Sequence, residues 1–491
     1  MDLCVRYCPF FENNAHYARP VLENFLRIIH HSAKRVKSRA WYLFLRFVRQ
    51  LRFLVGELAE RILHDVTDLL PIKAEVSELS DADEASSEDH NSMSEAMFNN
   101  QLFLYEAVGC VCGAPSLSGE RQAFYVHSIL SPLFADMEQH LQAARGGDER
   151  ANLQIHHDVM ALGTLARGFS DWVPGGNSAA PASAAIDSVR AEFARASEAT
   201  LVALKSLRTS LAIRTAARAT LSRLIGVLGV HILPQFPDWI DGLLTEASTR
   251  EEMALFLRLL EQVIFGFKNE VLSILDQIFT RLLQRVFAGF AGASAGTDDH
   301  IQVTELKLAY LNLLTAIMNN GLGSVVISPI NQPFFESVIA TIEHFAMDVE
   351  DANTARMAFQ TLTKMCIAWA GPDVVAESSP TTEIDIASPL LPGFDHFMMT
   401  RFSPLCWAAP MQPSFNTGDA QARQVLGEAA VLQKTIYRKC GQRYLSWLGD
   451  VELNNVGISH DAIVEYLSNL VKLEQKAFKA FFQNFIIKGG A

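Results

Sequence analysis

Apolar residues recur along this chain at three- and four-residue spacing, which places them on one face of an α-helix. In residues 32–55 this face would hold Val36, Ala40, Phe44, Phe47 and Leu51. The same period predicts helices over 253–267, 271–287, 303–318, 334–345, 353–369, 420–437 and 461–473. The best candidate for a β-strand is SVVIS at 324–328, and it has no neighbouring strand pattern. The chain is therefore predicted to be all-α.

Short turns with Gly, Pro and Asn separate these helices, so that helical pairs recur at intervals of about 40 residues. A single helical core would be unusual for 491 residues, because such cores stop growing beyond about 250–300 residues. Stacked pairs bury their apolar faces against adjacent pairs and have no such limit. The pattern predicts an α-solenoid superhelix of helical-hairpin repeats.

Polar insertions divide the predicted repeats. Residues 74–95 hold eight acidic residues and no Lys or Arg, which predicts a mobile acidic loop. Residues 173–187 are rich in Gly, Ala, Pro and Ser, and 372–392 reads as a polar linker. The predicted organisation is repeats over 1–73, the acidic loop, repeats over 96–371, the linker, and C-terminal repeats over 393–491.

Composition and motifs narrow the function. With 41 Lys and Arg against 54 Asp and Glu, the net charge is −13, so any nucleic-acid contact must use local basic patches. The sequence has no P-loop, nucleophile elbow or HExxH motif, and its seven cysteines are scattered. We therefore predict no enzymatic activity, no cofactor, no metal site and no membrane insertion.

One basic segment stands out in this acidic chain. From Arg27 to Arg52 there are eight Lys and Arg and no acidic residue. At 100° per residue, four of the arginines fall within about 80° of one another, with a tyrosine among them. We predict a polyanion-binding stripe here, although a solvated outer face of a structural helix remains an alternative. The candidate residues are Lys34, Arg35, Lys37, Arg39, Tyr42, Arg46 and Arg49.

A second, weaker set lies near the C-terminus. Lys434 and Arg438 are four residues apart, Arg423 falls on the same helical face, and Arg443 follows. Nearby acidic residues dilute this signal. We predict that these four side chains also contact RNA.

Several segments resemble the exportin-T family of tRNA export receptors, within the importin-β (karyopherin) group. They are LCVRYCPFFE (3–12), HSAKRVKSRAWYLFLRFVRQL (31–51), LFLYEAVG (102–109), LPGFDHFM (391–398) and PLCWAAPMQPSFNTGDAQARQVLGEAAVLQKTIYRKCG (404–441). The last is the most specific. The resemblance implies HEAT-type repeats, and it matches the C-terminal half of a receptor about twice this length.

The resemblance also implies partners and a location. They are tRNA, the small GTPase Ran in its GTP form, and phenylalanine-glycine nucleoporins, in a receptor that shuttles between nucleus and cytoplasm. The main Ran-binding repeats belong to the half that this chain does not match. The residues alone leave a second interpretation open, namely a HEAT-repeat scaffold or a karyopherin for protein cargo that does not bind RNA.

Overall fold

The computed structural model describes residues 1–75, 84–170, 187–291, 296–375 and 391–488, and these ranges contain no β-strand. The chain divides into two compact units, Met1–Ser248 and Thr249–Ala491. The all-helical prediction is confirmed. The predicted division at the polar insertions stays a prediction, because 76–83, 171–186 and 376–390 lie outside the described residues.

The helices of unit 1 differ widely in length, and the long ones start at α7. They are α1 (Asp2–Arg6), α2 (Cys8–Asn13), α3 (Ala15–Ile28), α4 (Lys34–Gln50), α5 (Arg52–Val55), α6 (Ala59–Val66), α7 (Glu84–Cys112), α8 (Gly119–Arg145), α9 (Glu149–Phe169), α10 (Asp187–Ser206), α11 (Leu211–Leu228) and α12 (Phe236–Leu243).

Unit 1 is a stack of helical pairs in two layers. Helices α4, α7, α9 and α11 pack side by side in that order and form what we call the central row. Helices α8 and α10 pack on one another and against α9 and α11, and so form a second layer. Only three residues join α8 to α9, so the two helices run antiparallel. Asp148 caps the start of α9 by accepting a hydrogen bond from the Ala151 amide at 3.1 Å.

Glycines bring the helices of the central row unusually close together. A methyl group added to Gly109 of α7 would lie 2.9 Å from the Cα of Gly168 in α9. A methyl group added to Gly163 of α9 would lie 2.8 Å from the Cα of Thr220 in α11. The hydroxyl of Thr220 also donates to the Val159 carbonyl at 2.8 Å. Side chains near these contacts can therefore reach from one helix to the next.

The helices of unit 2 include several short segments after the polar linker. They are α13 (Arg250–Phe267), α14 (Leu272–Ala291), α15 (Thr297–Asn319), α16 (Gln332–Ala346), α17 (Ala352–Trp369), α18 (Phe394–Phe397), α19 (Ser403–Ala408), α20 (Ala420–Cys440), α21 (Gln442–Trp447), α22 (Leu453–Val456), α23 (His460–Lys472) and α24 (Gln475–Ile487).

Unit 2 has its own row of packed helices, in the order α13, α15, α17, α20 and α24. A reciprocal cap starts this row: the Thr249 hydroxyl accepts from the Glu252 amide while the Glu252 carboxylate accepts from the Thr249 amide. All seven helices predicted between 253 and 473 are present, within a few residues of the expected bounds.

Three expectations need correction. Residues 324–328 are not a strand: a short turn of 3₁₀-helix covers Gly323–Val325, because no neighbouring strand is available to pair with the backbone. Val36 is not in the core but 42% exposed, because it lies in the first turn of α4. The acidic segment becomes helical at Glu84, since extending a packed helix adds a hydrogen bond per residue.

One stretch of the described chain, Leu211–Leu243, is long and apolar enough to cross a membrane by length and composition. It spans α11 and α12, and 61% of its most apolar window is buried inside the protein. A helix in the core of a helical stack is equally long and apolar. The apolar character of this stretch is therefore explained by its packing in unit 1.

Candidate nucleic-acid interface

Helix α4 has one face in the core and an arginine-rich edge. The edge holds Arg35, Arg39, Tyr42, Arg46 and Arg49, which we call the basic stripe. Their spacing of three and four residues places them along one line of the helix. From Arg35 to Arg46 this line runs about 16 Å at 1.5 Å per residue. The predicted stripe is therefore a continuous feature of a single helix.

Aromatic packing fixes the rotation of α4. Phe47 is 1% exposed and stacks on Phe25 of α3, with ring centroids 4.7 Å apart. Phe11 of α2 meets the same ring edge-on at 5.6 Å. On the same helix, the Trp41 indole donates to the Ile29 carbonyl at 3.0 Å. With these groups held inside, the basic stripe faces solvent.

Tyr42 lies at the middle of the stripe between two guanidinium groups. Arg39 and Arg46 lie 5.4 and 5.9 Å from the centre of its ring. Phe103 of α7 meets the ring edge-on at 5.4 Å and holds it in place. A half-buried aromatic ring flanked by two cations is suited to a base or a phosphate–sugar segment of RNA.

Two arginines of the stripe, Arg35 and Arg46, are exposed. Neither Arg35 nor Arg46 forms an ion pair with any residue that the structure describes. Arg39 pairs with Asp2 at 2.7 Å, but both side chains are more than half exposed. An exposed pair of this kind contributes about 0–1 kcal/mol, so a phosphate can displace Asp2 readily.

Arg49 is held by a buried carboxylate that a second helix of the central row shares. It pairs with Glu106 of α7, whose side chain is only 7% exposed. Arg167 of α9 lies 3.4 Å from the same carboxylate and is itself 55% exposed. Two guanidinium groups and one carboxylate leave one net positive charge. The positive edge of α4 therefore continues across α7 to α9.

Arg223 of α11 extends this edge by one more helix. Its guanidinium donates to the Thr164 hydroxyl of α9 at 2.7 Å. Burial and the neighbouring charge of Arg167 lower the pKa of Arg223 to about 10, so the group stays cationic at neutral pH. Sequence reasoning missed Arg167 and Arg223, because each is a lone arginine on its helical face.

Two candidates on α4 lie apart from the stripe. Lys37 is half buried, with its ammonium 5.1 Å from the centre of the Trp41 ring. Lys34 is exposed at the first position of the helix, about 100° around the axis from Arg35. The structure therefore does not bring these two lysines together with the arginines.

The candidates of the second set lie on or next to α20, and each of the four has a partner within the protein. Lys434 is 4% exposed, and its ammonium donates to the carbonyls of Leu470 and Leu473 at 2.7 Å each. These carbonyls belong to the end of α23, where a cation complements the helix dipole. The prediction that Lys434 contacts RNA is wrong, because the ammonium is buried.

Arg438 and Arg443 bind carboxylates of unit 2. Arg438 pairs with Asp373, which also accepts from the buried ammonium of Lys439 at 2.8 Å. Burial alone would raise the pKa of Asp373, but hydrogen bonds and charges from Lys439 and Arg438 lower it below its usual value. Arg443, which is exposed, pairs with Asp395.

Arg423 is exposed, and it bonds the Gly418 carbonyl at 2.8 Å just before α20. With Lys434 buried and Arg438 paired, Arg423 and Arg443 do not form a stripe. Of the two predicted sets, only the one on α4 places its arginines along one line of a single helix. No group of three or more side chains suited to a metal ion occurs in the described ranges.

Known proteins resemble this chain over almost its whole length. A family model described as Exportin-T matches residues 1–490. The Exportin-T of Aspergillus fumigatus is 57% identical over 482 residues, which is 98% of this chain and 46% of the relative. The Exportin-T of Aspergillus niger is 56% identical over 490 residues, or 99% of this chain and 47% of the relative. The chain thus spans about half the length of the curated relatives it matches.

A solved structure supports the fold. Importin13 in its cytosolic state superimposes with a TM-score of 0.64 and covers 99% of this chain and 49% of that chain. Because only 13% of residues are identical, this likeness concerns the fold alone. It confirms the prediction of an α-solenoid of HEAT-type helical repeats.

Proposed function

The chain belongs to the exportin-T family, and from this premise we propose that it forms part of a receptor that binds tRNA together with Ran-GTP. The receptor would cross the nuclear pore by contacts with phenylalanine-glycine nucleoporins and release its cargo in the cytoplasm. It would shuttle between nucleus and cytoplasm and catalyse no reaction. We assign the main Ran-binding repeats to the part of the relatives' length that this chain does not cover.

The basic stripe is the observation that carries the tRNA-binding part of this proposal. Arg35, Arg39 and Arg46 point into solvent from one line of α4, in a protein whose net charge is −13. Like charges at this spacing repel one another by a few tenths of a kcal/mol each. A purely structural helix gains nothing from that arrangement, whereas phosphates along an RNA backbone would neutralise it.

Arg167 and Arg223 give the proposed interface its width. They carry the positive edge from α4 across the central row of unit 1. Folded RNA is recognised mainly by shape and by contacts to phosphates and 2′-hydroxyl groups. A positive edge that crosses several helices can contact a folded RNA at several phosphates. It is therefore better suited to folded RNA than to a short single strand.

The alternative is a scaffold or a receptor for protein cargo that does not bind RNA. A gel mobility-shift experiment distinguishes an RNA-binding receptor from such a scaffold. Labelled tRNA is titrated with the 491-residue chain at two salt concentrations, with and without Ran-GTP. We expect weak, salt-sensitive binding that Ran-GTP improves little. If both halves of the full-length receptor contact the tRNA, one half alone lacks the high effective concentration that the second set of contacts provides. An unstructured RNA of the same length is the control. No shift at low salt, or equal shifts for both RNAs, would contradict the proposal.

A further inference from the structure

Two aromatic side chains lie in the middle of the positive edge of unit 1, where the basic stripe meets the next helix of the central row. Tyr42 belongs to α4 and Phe103 to α7, and both are half-buried, so that part of each side chain is open to solvent. Their ring centroids are 5.4 Å apart, and the ring planes make an angle of 65°. Because each ring limits the movement of the other, the pair forms a fixed aromatic surface among the arginines.

The guanidinium groups beside Tyr42 flank its ring and do not stack on it. Those of Arg39 and Arg46 lie 5.4 and 5.9 Å from the ring centre, whereas groups in van der Waals contact are about 3.5–4.0 Å apart. Neither guanidinium therefore occupies the position that a stacked base would take. The Tyr42 hydroxyl forms no hydrogen bond with any residue that the structure describes, although a tyrosine that serves the core usually has such a partner.

This arrangement matches the chemistry of an unpaired RNA base. Every base has a π-face that stacks on an aromatic ring, and arginines beside the ring add a cation–π contribution. A base on the Tyr42 ring would bring its adjoining phosphates towards Arg39 and Arg46, which can bind them with charged hydrogen bonds. A base inside a double-helical stem has its faces covered by its neighbours and is not available for such a contact. A phosphate–sugar segment alone would use the arginines and leave the aromatic pair without a role.

We propose that Tyr42, supported by Phe103, is a stacking site for an unpaired base of the bound RNA. The inference rests on the proposed RNA binding and deepens it. The arginines of the basic stripe attract phosphates of any RNA, whether paired or not. The aromatic pair adds selectivity, because it favours an RNA that presents an unpaired nucleotide to the middle of α4.

Two RNA duplexes that differ only in the bases of their tails test this site. Each strand of the first duplex ends in an unpaired tail of adenosines. The tails of the second are abasic and of the same length, so they keep the phosphates and lack the bases. Fluorescence anisotropy with the whole chain should show that the adenosine-tailed duplex binds about fivefold more tightly or better. This difference should vanish in Tyr42→Leu and persist in Tyr42→Phe, because the ring and not the hydroxyl makes the contact.

Salt dependence distinguishes lost stacking from displaced arginines. In Tyr42→Leu, once circular dichroism has established that it folds, the slope of log affinity against log salt should be unchanged, because the ring releases no counterions. A shallower slope would overturn the proposal, and so would a preference for adenosine tails that survives in Tyr42→Leu. Salt-sensitive but equal binding of both duplexes by the parent chain would overturn the stacking site and leave the proposed function standing. No binding of either duplex at low salt would overturn both.

Discussion

Gly109 of α7 and Gly168 of α9 meet backbone to backbone at the centre of unit 1. A methyl group on Gly168 would collide with the carbonyl oxygen of Glu106, and a methyl group on Gly109 would lie 2.9 Å from the Cα of Gly168. This close approach lets Arg167 of α9 reach the carboxylate that already holds Arg49 of α4. The width of the basic edge therefore depends on the absence of side chains at two positions in the core.

Replacing Gly168 by Ala should lower the free energy of unfolding by about 1–3 kcal/mol, because the two helices must move apart to admit the methyl group. It should also weaken RNA binding, since Arg167 would lose its position beside Glu106. Urea denaturation and tRNA titration measure the two effects. Gly296→Ala is the matched control, because a methyl group there meets no atom of a described residue within 4 Å and the backbone is extended, not left-handed. Equal stability of the two variants would contradict the close-packing argument.

Truncating Phe47 to Ala should lower the free energy of unfolding by about 3–5 kcal/mol, because the cavity left beside Phe25 and Phe11 cannot collapse fully. Phe47 is 1% exposed, whereas Val36 on the same helix is 42% exposed. Val36→Ala should therefore change stability by less than about 0.5 kcal/mol. A similar loss for both variants in urea denaturation would mean that the assigned faces of α4 are wrong.

The contrast between Phe47 and Val36 shows what periodicity could predict. The three- and four-residue spacing placed both residues on one apolar line, and that line is buried where α2 and α3 cover it. At the first turn of α4 the valine is left in solvent. The sequence pattern identifies the helix and the face that packs against the protein. How far along the helix this face is buried depends on neighbouring helices, whose positions the pattern does not give.

Lys434 shows a second limit of the sequence pattern. Its spacing from Arg438 resembled a surface stripe, but the carbonyl groups that bind it belong to a helix more than thirty residues later in the chain. Arg167 is the opposite case: it is a candidate for RNA binding, but no local sequence pattern indicates it. In both cases the deciding partner is distant in sequence, so spacing alone could not reveal the role.

Replacing Lys434 by Met should therefore affect stability and not RNA binding. The buried carbonyl of Leu470 and the partly buried carbonyl of Leu473 would lose their donor, which lowers the free energy of unfolding by about 1–3 kcal/mol. Lys476→Met, at an exposed position of α24, is the control and should change stability little. A tRNA titration of both variants completes the test. A loss of RNA affinity in Lys434→Met without a loss of stability would contradict the structural role.

The buried carboxyl of Glu452 should make stability depend on pH. Burial raises its pKa to about 8 from an ordinary 4.5, although the Ser403 hydroxyl donates to it at 2.9 Å and opposes the rise. Between these two values the folded chain holds a proton that the unfolded chain has lost. The free energy of unfolding should therefore fall as pH rises from about 4.5 to 8, by roughly 4 kcal/mol from this group.

Glu452→Gln tests that pH dependence, because the amide cannot titrate and keeps nearly the same shape. Denaturant unfolding at several pH values should give a steeper decline for the parent chain than for the variant over this range. Comparison with the variant removes the contribution of other buried carboxyl groups, such as Asp158. Parallel stability profiles for the two proteins would show that Glu452 is ionised in the folded state.

The basic stripe is tested most directly by the variant in which Arg35, Arg39 and Arg46 are all replaced by Ala. Its charge-matched control replaces Lys472, Lys476 and Lys488, which are exposed near the C-terminal end of the described chain. Both are titrated with tRNA over a series of salt concentrations, after circular dichroism has established that they fold. We predict weaker binding for the arginine variant only, and a slope of log affinity against log salt that is shallower by about two to three. Equal affinity and equal slope for the arginine variant and the parent chain would contradict the account.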